Sequence, residues 1–600
     1  MAGQRATGLP GRFGARPATS RRTLEPSRIH GAVNPAGLAH RFKPDVVTTI
    51  ILAAMIIAIW APRAVGPLDF RWDGGVYYVL GTAIAEGKGY RLLNEPGDIE
   101  ANQYPPLLPF IVAAHQRLVG SSDPVLVGRW MRLSYFLIFT TYIFVAYAVL
   151  RRHLSLPWAL LAAGVVLLHP QTTFLSDLCF AELPFGLVST LFVLVAGRPA
   201  GPIRSMAAGT CAVAAYLLRT LGIALLAAWV LDALFGRRFR TAAIRAVVAL
   251  VPFLGWHAYI VHVERSPDYV RPAYAYQRAD YLFYNVSYAR NLSLRDPFKP
   301  ERGRASALEV AHRSLVNLAH MPKSLGEALT ATARSWERIK DIPVLGRVIP
   351  WRVVLYLPIV IGLVVLVGVA SLLTLEARLI GLYIVLTAAA ICLTPWPWRE
   401  QWARYWAPVT PFLALALARG LMTLATWSER LPKPVRRISH GGRIALVISV
   451  LVVEAVVMTR MYVQYHSPAT LRDGGGHVVA QHLFFYDRPH QALRAGLDWL
   501  GSRARPDDVV AASMPQWVYL LTGLKAVMPP FETDPVRAQA LLDSVPVRFV
   551  VVDGARPPIT RDYALPLLES SPERWLLVYS DPSGRLEIYQ RRPEPSRSRP

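Results

Sequence analysis

Three acidic side chains stand beside or inside apolar stretches of the chain. Asp73 lies in Arg-Trp-Asp-Gly-Gly-Val-Tyr-Tyr, directly after the first apolar run, and Asp177 and Glu182 lie in Ser-Asp-Leu-Cys-Phe-Ala-Glu-Leu-Pro. Desolvation raises the pKa of a carboxyl group held against apolar neighbours, and a raised pKa suits a general base. Each residue also has a plainer interpretation: Asp73 caps the helix that follows, and Glu182 or Asp177 pairs with an arginine.

Positive side chains near the same apolar runs are candidates for binding an anion. Arg219 lies in Leu-Leu-Arg-Thr-Leu-Gly, and Arg399 and Arg404 lie in Arg-Glu-Gln-Trp-Ala-Arg-Tyr-Trp. Guanidinium groups bind phosphate bidentately, and a lipid phosphate lies at the depth where such residues meet a bilayer. The alternative is that they snorkel or pair with one of the acidic residues.

The composition is that of a membrane protein. Of the 600 residues, 53% are hydrophobic and 18% are charged, and the mean hydropathy is +0.31. A chain of this composition has more apolar surface than small soluble domains are able to bury. The net charge of +25 comes from arginines in short segments between apolar runs, so it reports membrane orientation and not a nucleic-acid-binding surface.

We count about eleven apolar segments that are long enough, or nearly so, to cross a bilayer. The first lacks a cleavage pattern of small residues and is interpreted as an uncleaved span. The segments cover 46–62, 130–150, 156–174, 179–197, 205–218, 220–235, 243–263, 351–372, 378–395, 405–426 and 443–460.

Positive charges at the ends of these segments predict their orientation, because Lys and Arg are retained in the cytoplasm. The basic tail 1–43 is too polar to fold alone and is predicted to be disordered and cytoplasmic. The plasma (inner) membrane would then hold the domain 44–462, with outward segments 63–129 and 264–350. The apolar run 107–114 is interpreted as a helix in the interface, since an additional span would reverse every later loop.

The chain turns soluble after the last span. Strand-like runs at 509–512 and 548–552, a turn at 582–584 and helical periodicity over 491–500 predict a small α/β domain over 467–592. The fold class is therefore mostly α: a polytopic membrane helix bundle with an extracytoplasmic α/β domain at its carboxyl end.

The outward segment 264–350 begins with closely spaced tyrosines interleaved with arginines. Aromatic rings beside charged donors suit a sugar or a lipid headgroup, but the same pattern is typical of an interfacial aromatic belt. The tyrosines are Tyr269, Tyr274, Tyr276, Tyr281, Tyr284 and Tyr288.

The order of these motifs resembles the type C glycosyltransferase superfamily, in particular the lipid A aminoarabinose transferases and protein O-mannosyltransferases. The resemblance covers about residues 40–460 and is carried by short motifs in the same order and on the same predicted side of the membrane. These are Asp73 with Tyr77, Gly-Lys-Gly-Tyr, Tyr-Pro-Pro-Leu at Tyr104, Ala-Glu-Leu at Glu182, Leu-Arg-Thr-Leu-Gly at Arg219, and Arg404-Tyr405 before a proline-containing span.

The resemblance implies a sugar donor on a polyprenyl or dolichyl phosphate and a catalytic carboxylate in the first outward loop. Asp73 would take the proton of an acceptor, and cations would stabilise the departing lipid phosphate, with inversion at the anomeric carbon. Asp177 and Glu182 are the further catalytic candidates. The donor-binding candidates are Lys88, Arg219, Arg404, Tyr405, Tyr77 and Tyr104.

The sequence departs from the family pattern after Asp73, where Gly74 and Gly75 replace a second acidic residue. No Asp-x-Asp pair supports a divalent metal, which stays open because Asp73, Asp177 and Glu182 are able to assemble a site. Two other functions are compatible with the composition. One is a transporter or flippase for a lipid-linked glycan, although no internal repeat is evident, and the other is a non-catalytic scaffold for envelope assembly.

Overall fold

The computed structural model describes residues 35–197, 201–332, 351–374, 377–430 and 432–593. Of these, residues 35–48 belong to one compact unit and the described residues from 49 onward to a second. Of the predicted basic tail, residues 1–34 lie outside the described residues, and a helix begins at Pro35. Residues 333–350 of the predicted outward segment also lie outside them.

Helices make up most of the described chain before residue 465. Their bounds follow the apolar runs, and prolines stand at the first turn of many of them, where a missing N–H costs nothing. They are α1 (Pro35–Trp60), α2 (Asp73–Ala85), α3 (Leu107–Val119), α4 (Pro124–His153), α5 (Leu156–Leu168), α6 (Pro170–Ser176), α7 (Glu182–Ala196), α8 (Pro202–Leu218), α9 (Gly222–Phe235), α10 (Phe239–Glu264), α11 (Pro267–Val270), α12 (Tyr288–Ser293), α13 (Ala307–Ala319), α14 (Met321–Glu327), α15 (Trp351–Thr374), α16 (Arg378–Cys392), α17 (Trp402–Trp406), α18 (Thr410–Ser428) and α19 (Lys433–Gln464).

Six helices of the described chain are long and apolar enough to cross a membrane, or up to seven if one bent pair counts as a span. The bent pair is α5 and α6, which meet at 54°. Pro170 begins α6 and cannot donate a backbone hydrogen bond, so the predicted span 156–174 is broken there. Four shorter apolar helices, α7, α8, α9 and α16, overlap predicted spans. The predicted count of eleven stays a prediction.

Close backbone packing fixes the helices that carry the site. A Cβ added at Gly368 of α15 would collide with the carbonyl group of Ala416 in α18, and one at Gly420 would collide with that of Val364. Small residues let helix backbones approach in this way within membranes. The start of α18, and α17 before it, are thereby held against the bundle.

The carboxyl-terminal region forms a five-stranded sheet, as the sequence predicts for an α/β domain. The strand order is β6-β5-β7-β9-β8, with β5 parallel to β6 and β7, and with β9 antiparallel to β7 and β8. Two short pairs, β1 with β2 and β3 with β4, lie outside it. The strands are β1 (Arg91–Leu92), β2 (Ile99–Glu100), β3 (His466–Arg472), β4 (Val478–Phe484), β5 (Val509–Ala511), β6 (Lys525–Val527), β7 (Val547–Asp553), β8 (Trp575–Ser580) and β9 (Leu586–Arg591).

Helices complete this domain. Asp487 caps the first of them through its side chain, which accepts the amide hydrogen of His490. They are α20 (Arg488–Gly501), α21 (Pro515–Thr522), α22 (Pro535–Asp543), α23 (Pro557–Ile559), a π-helical turn (Thr560–Ala564) and α24 (Leu565–Ser570).

Three of the predicted sugar-binding or belt tyrosines pack against this domain instead. Tyr274 and Tyr276 are buried in one core with β5, β6 and β7, and Tyr276 Oη donates to the carbonyl oxygen of Met528 at 3.0 Å. Tyr281 stacks on Phe531 with the ring centroids 4.8 Å apart. Both sequence-based interpretations are wrong for these residues, because the sequence does not indicate which surface covers them.

Candidate active site

Asp73 begins helix α2 behind a constrained loop. Trp72 has a φ of 53°, a conformation that a bulky residue adopts only when its surroundings impose it. The buried Arg71 imposes it by pairing with Asp69 at 2.7 Å and donating to the carbonyl oxygen of Phe484 at 2.6 Å. Phe484 of β4 therefore helps to hold the loop that precedes Asp73.

The glycines after Asp73 are required by close packing. A Cβ at Gly75 would lie 3.1 Å from the carbonyl oxygen of Phe70 and 3.2 Å from Cβ of Gln516, in helix α21. Gly74 is similarly confined. At position 74, where the family pattern has its second acidic residue, an added Cβ would lie 3.2 Å from the carbonyl oxygen of Asp69 and 3.5 Å from Cβ of Cys179, so a side chain there is crowded.

Four of the predicted site residues form one charged group, the carboxylate–arginine cluster of Asp73, Glu182, Arg219 and Arg404. Arg404 Nη2 lies 2.5 Å from Asp73 Oδ2, and Arg404 Nε donates to Glu182 Oε1. Arg219 Nη1 pairs with the same oxygen of Glu182. The side chain of Glu182 is fully buried. A carboxylate shared by two guanidinium groups holds both of them in fixed positions.

Burial raises the pKa of the Asp73 carboxyl group, but the charge of Arg404 and its hydrogen bond lower it further, and the result lies below the usual value. The expectation of a raised pKa is wrong for this reason. Asp73 is held as a carboxylate whose second oxygen, Oδ1, accepts a hydrogen bond from Tyr284 Oη at 3.3 Å. Burial also raises the pKa of Tyr284, to about 12, so that its hydroxyl group keeps the proton it donates.

The cluster opens into a cavity of about 650 Å³, the polar cavity, whose wall includes Asp73, Arg219 and Arg404. Beside it lies an apolar groove of about 600 Å³ between α8 and α10, with Phe253 and Trp256 on its wall. Five residues line both spaces: Gln103, Tyr104, Arg219, Tyr288 and Tyr405. The two spaces are therefore neighbours that share a wall, and Arg219 belongs to that wall.

The predicted tyrosines lie at this junction. Tyr77 lines the apolar groove and packs on Tyr104 with the ring centroids 4.8 Å apart. Tyr405 Oη donates to Gln401 Oε1 at 3.1 Å, and the guanidinium carbon of Arg219 lies 5.8 Å from the centre of the Tyr405 ring. Tyr104 and Tyr405 thus belong to the walls of both spaces, and Tyr77 packs on Tyr104 from the side of the groove.

Two predicted site residues lie elsewhere. Lys88 is exposed at the end of α2, where it pairs with Glu86 at 2.8 Å, and it lines neither space. Asp177 is buried in an ion pair with Arg132 at 2.6 Å. Its backbone carbonyl accepts a hydrogen bond from Asp69 N at 3.1 Å, which joins the turn between α6 and α7 to the loop before Asp73.

The three acidic residues considered for a metal therefore do not come together. Asp73 and Glu182 both bind Arg404, and Asp177 binds Arg132. Within the described ranges, no group of three or more His, Cys, Asp or Glu side chains is placed to hold a metal ion.

Sequence reasoning missed one cation of the polar cavity, Arg556. It follows β7 in the sequence Asp553-Gly-Ala-Arg556 and hydrogen-bonds to Tyr284. The sequence feature that could have indicated Arg556 is its place in a polar turn directly after a Val-rich strand. Loops at the carboxyl ends of parallel strands commonly carry binding residues.

The fold is similar to that of a solved oligosaccharyltransferase, which agrees with the fold that the sequence resemblance implies. The oligosaccharyltransferase of Archaeoglobus fulgidus, solved in complex with Zn and sulfate, superimposes with a TM-score of 0.51 at 12% identity, covering 91% of this chain and 73% of that one. At such identity the fold alone is established, so activity has to be argued from the site.

Two other solved structures are similar at lower TM-scores. ArnT from Cupriavidus metallidurans bound to undecaprenyl phosphate gives 0.47 at 14% identity, covering 90% of this chain and 97% of that one. Arabinofuranosyltransferase AftD from Mycobacteria gives 0.36 at 13% identity, covering 93% and 40%. No family model and no curated protein matches the sequence.

Proposed function

We propose that the protein is an integral membrane glycosyltransferase that moves a sugar from a polyprenyl-phosphate donor to an extracytoplasmic acceptor, either a lipid, a glycan or a protein. The observation that carries this proposal is the Asp73–Arg404 ion pair, which stands in a polar cavity that shares wall residues with an apolar groove between helices. The site thus offers a base, cations and a place for a hydrocarbon chain next to one another.

The donor lies across the junction of the two spaces. The polyprenyl chain occupies the apolar groove beside Phe253 and Trp256, and the phosphate lies at Arg219, which lines both spaces. Tyr77, Tyr104 and Tyr405 form the aromatic wall around the headgroup. Preorganised guanidinium groups stabilise the charge that develops on a departing phosphate more than they stabilise the ground state.

Transfer proceeds by direct displacement. The acceptor oxygen or nitrogen attacks the anomeric carbon, the bond from that carbon to the phosphate oxygen breaks, and the polyprenyl phosphate leaves with the bonding electrons. Asp73 takes the acceptor's proton as the new bond forms. A carboxylate with a low pKa is a weak base for the free acceptor, but the attacking atom becomes strongly acidic as it bonds to carbon. The configuration at the anomeric carbon is inverted.

Glu182 acts as a positioning residue. It is fully buried and binds both Arg404 and Arg219, so it aligns the two cations and does not face the reacting atoms itself. Asp177 stabilises the loop that carries Asp73 through its ion pair with Arg132. A bound divalent metal is not required by this mechanism.

The proposed topology has eleven spans, a cytoplasmic amino terminus and the soluble domain outside. Gly75, which follows the loop after α1, packs closely against Gln516 of the soluble domain. This contact supports placing the loop and the soluble domain on the same side of the membrane. Labelling of a Ser583→Cys variant in intact cells with a membrane-impermeant maleimide tests the side, because Ser583 is exposed. Labelling only after the membrane is opened would reject it.

The reaction is tested with the purified full chain in lipid nanodiscs and a panel of polyprenyl-phosphate sugars. The expected result is release of polyprenyl phosphate that increases with an added acceptor, and a glycosylated product of inverted anomeric configuration by NMR. A chain that moves the intact donor across the bilayer without cleaving it would be a flippase, and the proposal would fail.

A further inference from the structure

Arg556 is the one arginine on the wall of the polar cavity that comes from the soluble domain. Arg219 and Arg404 are bound by the carboxylates of Glu182 and Asp73. Arg556 forms no direct ion pair with a carboxylate in the part of the chain that the structure describes. Its hydrogen-bond partner is Tyr284, and the carboxylates of Asp73 and Asp553 act on it only at longer range. A guanidinium group with free donors in a cavity is a site for an anion.

The turn after β7 presents Arg556 in a fixed position. Asp553, the last residue of β7, is fully buried, and its Oδ1 accepts the amide hydrogens of Ala555 at 2.9 Å and Arg556 at 3.0 Å. Thr560 Oγ1 donates to the carbonyl oxygen of Asp553 at 3.0 Å. Such a turn limits the backbone entropy that would be lost when a ligand binds.

Tyr284 connects this arginine to the base. Its hydroxyl group donates to Asp73 Oδ1 at 3.3 Å and interacts with Arg556 through a second hydrogen bond. Phe283 and Phe298 stand beside it on the cavity wall, and their rings contact each other at 5.2 Å. This wall does not line the apolar groove, so it lies away from the place of the polyprenyl chain.

We propose that Arg556, with Tyr284, binds an anionic group of the acceptor, a phosphate or a carboxylate, and so holds the attacking atom against Asp73. The inference rests on the proposed function for the identity of the bound molecule as acceptor. It assigns the soluble domain a direct contact with substrate and restricts the acceptor class to molecules that carry a negative charge close to the group that is glycosylated.

The first test measures binding and needs no turnover. The full chain is purified with saturating undecaprenyl phosphate, which fills the donor site, and its thermal unfolding is followed with increasing inorganic phosphate against chloride of equal ionic strength. We expect phosphate to raise the Tm of the wild type. Arg556→Gln should weaken this effect about tenfold or more, as expected for a lost charge-assisted contact.

The matched control is Arg561→Gln, an exposed arginine five residues further along the chain. It should respond to phosphate like the wild type. Arg556→Lys, which keeps the charge but loses the bidentate contact, should lie between the two and covers the case in which the glutamine variant folds poorly. An unchanged phosphate response in Arg556→Gln and Arg556→Lys, or no response in the wild type, would overturn the proposal.

A second arm separates this site from the donor site. Arg219→Gln should lose the stabilisation by undecaprenyl phosphate, whereas Arg556→Gln should retain it. If undecaprenyl phosphate fails to stabilise the wild type while the phosphate response still depends on Arg556, the proposed glycosyl transfer is at fault and the anion site stands. Once a donor is identified, Arg556→Gln should raise the KM for a phosphorylated acceptor and leave the KM for the donor unchanged.

Discussion

Arg404 Nη2 lies 2.5 Å from Asp73 Oδ2, although the two residues are 331 positions apart in the sequence. The contact joins the first turn of α2 to the short helix α17 in front of α18. Burial alone raises the pKa of the Asp73 carboxyl group, because it disfavours the charged form. Arg404 keeps it ionised, and Glu182 in turn keeps Arg404 in place.

Asp73→Asn should abolish transfer. The amide keeps the size of the side chain but cannot accept the acceptor's proton, and general base catalysis contributes about 10²–10⁴-fold to a rate. Release of polyprenyl phosphate from the identified donor measures the effect. Asp498→Asn, at an exposed aspartate of α20, is the matched control and should keep full activity. Equal rates for Asp73→Asn and the wild type would remove Asp73 from the mechanism.

The acidic limb of the pH–rate profile should lie below the ordinary pKa of aspartate, about 3.9, because the pKa of Asp73 is lowered by Arg404 in spite of burial. Because the pKa of Asp73 is lower in the folded than in the unfolded chain, its charged form stabilises the fold at pH values above the unfolded pKa. This stabilisation is lost as the pH falls through the pKa of the folded state. In Arg404→Gln, burial still raises the pKa of Asp73, but the arginine that lowers it is gone. The acidic limb of the residual activity should therefore move to higher pH. A limb that does not move would show that another group controls the profile.

The members of the cluster were predictable one by one, and the pairing of Glu182 with an arginine was one of the two sequence-based interpretations, but the grouping of all four was not predicted. Asp73, Glu182, Arg219 and Arg404 stand out because ionised residues at the ends of apolar runs are rare and functional. Which of them meet depends on how helices pack across hundreds of residues, and short motifs carry no such information.

Asp177 and Lys88 were predicted in the site but lie elsewhere, and the two errors have different reasons. Arg132 lies inside the predicted span 130–150, where a charge needs a partner, and this signal points to its pairing with Asp177. Lys88 was inferred from the family-like motif alone, and nothing in the sequence excluded its local pair with Glu86. Arg556 was missed because arginines are common in soluble domains, so it was not distinctive there.

Glu182→Gln should destabilise the fold while leaving Asp73 in place. It removes the buried carboxylate between Arg219 and Arg404 and leaves two like charges together, and breaking a buried pair in this way costs about 3–5 kcal/mol. Thermal unfolding in the same detergent measures the loss. Arg404 keeps its pair with Asp73 in this variant, whereas Arg219 loses the Glu182 carboxylate. Adding Arg219→Gln removes that uncompensated charge, so the double variant should be more stable than the sum of the single effects. Strictly additive effects would contradict the coupling.

Gly75→Ala should impair both stability and transfer. The added Cβ would meet the carbonyl oxygen of Phe70 at 3.1 Å and Gln516 Cβ at 3.2 Å, and the backbone oxygen cannot rotate away. Relief of this contact has to move either the soluble domain or the start of α2, and with it Asp73. Gly255→Ala is the control, since this glycine is also helical and a Cβ there would meet no atom within 4 Å. We expect a lower Tm and slower release of polyprenyl phosphate for Gly75→Ala, against an unchanged or slightly higher Tm for Gly255→Ala. If the two variants behave alike, the soluble domain does not fix the position of the base.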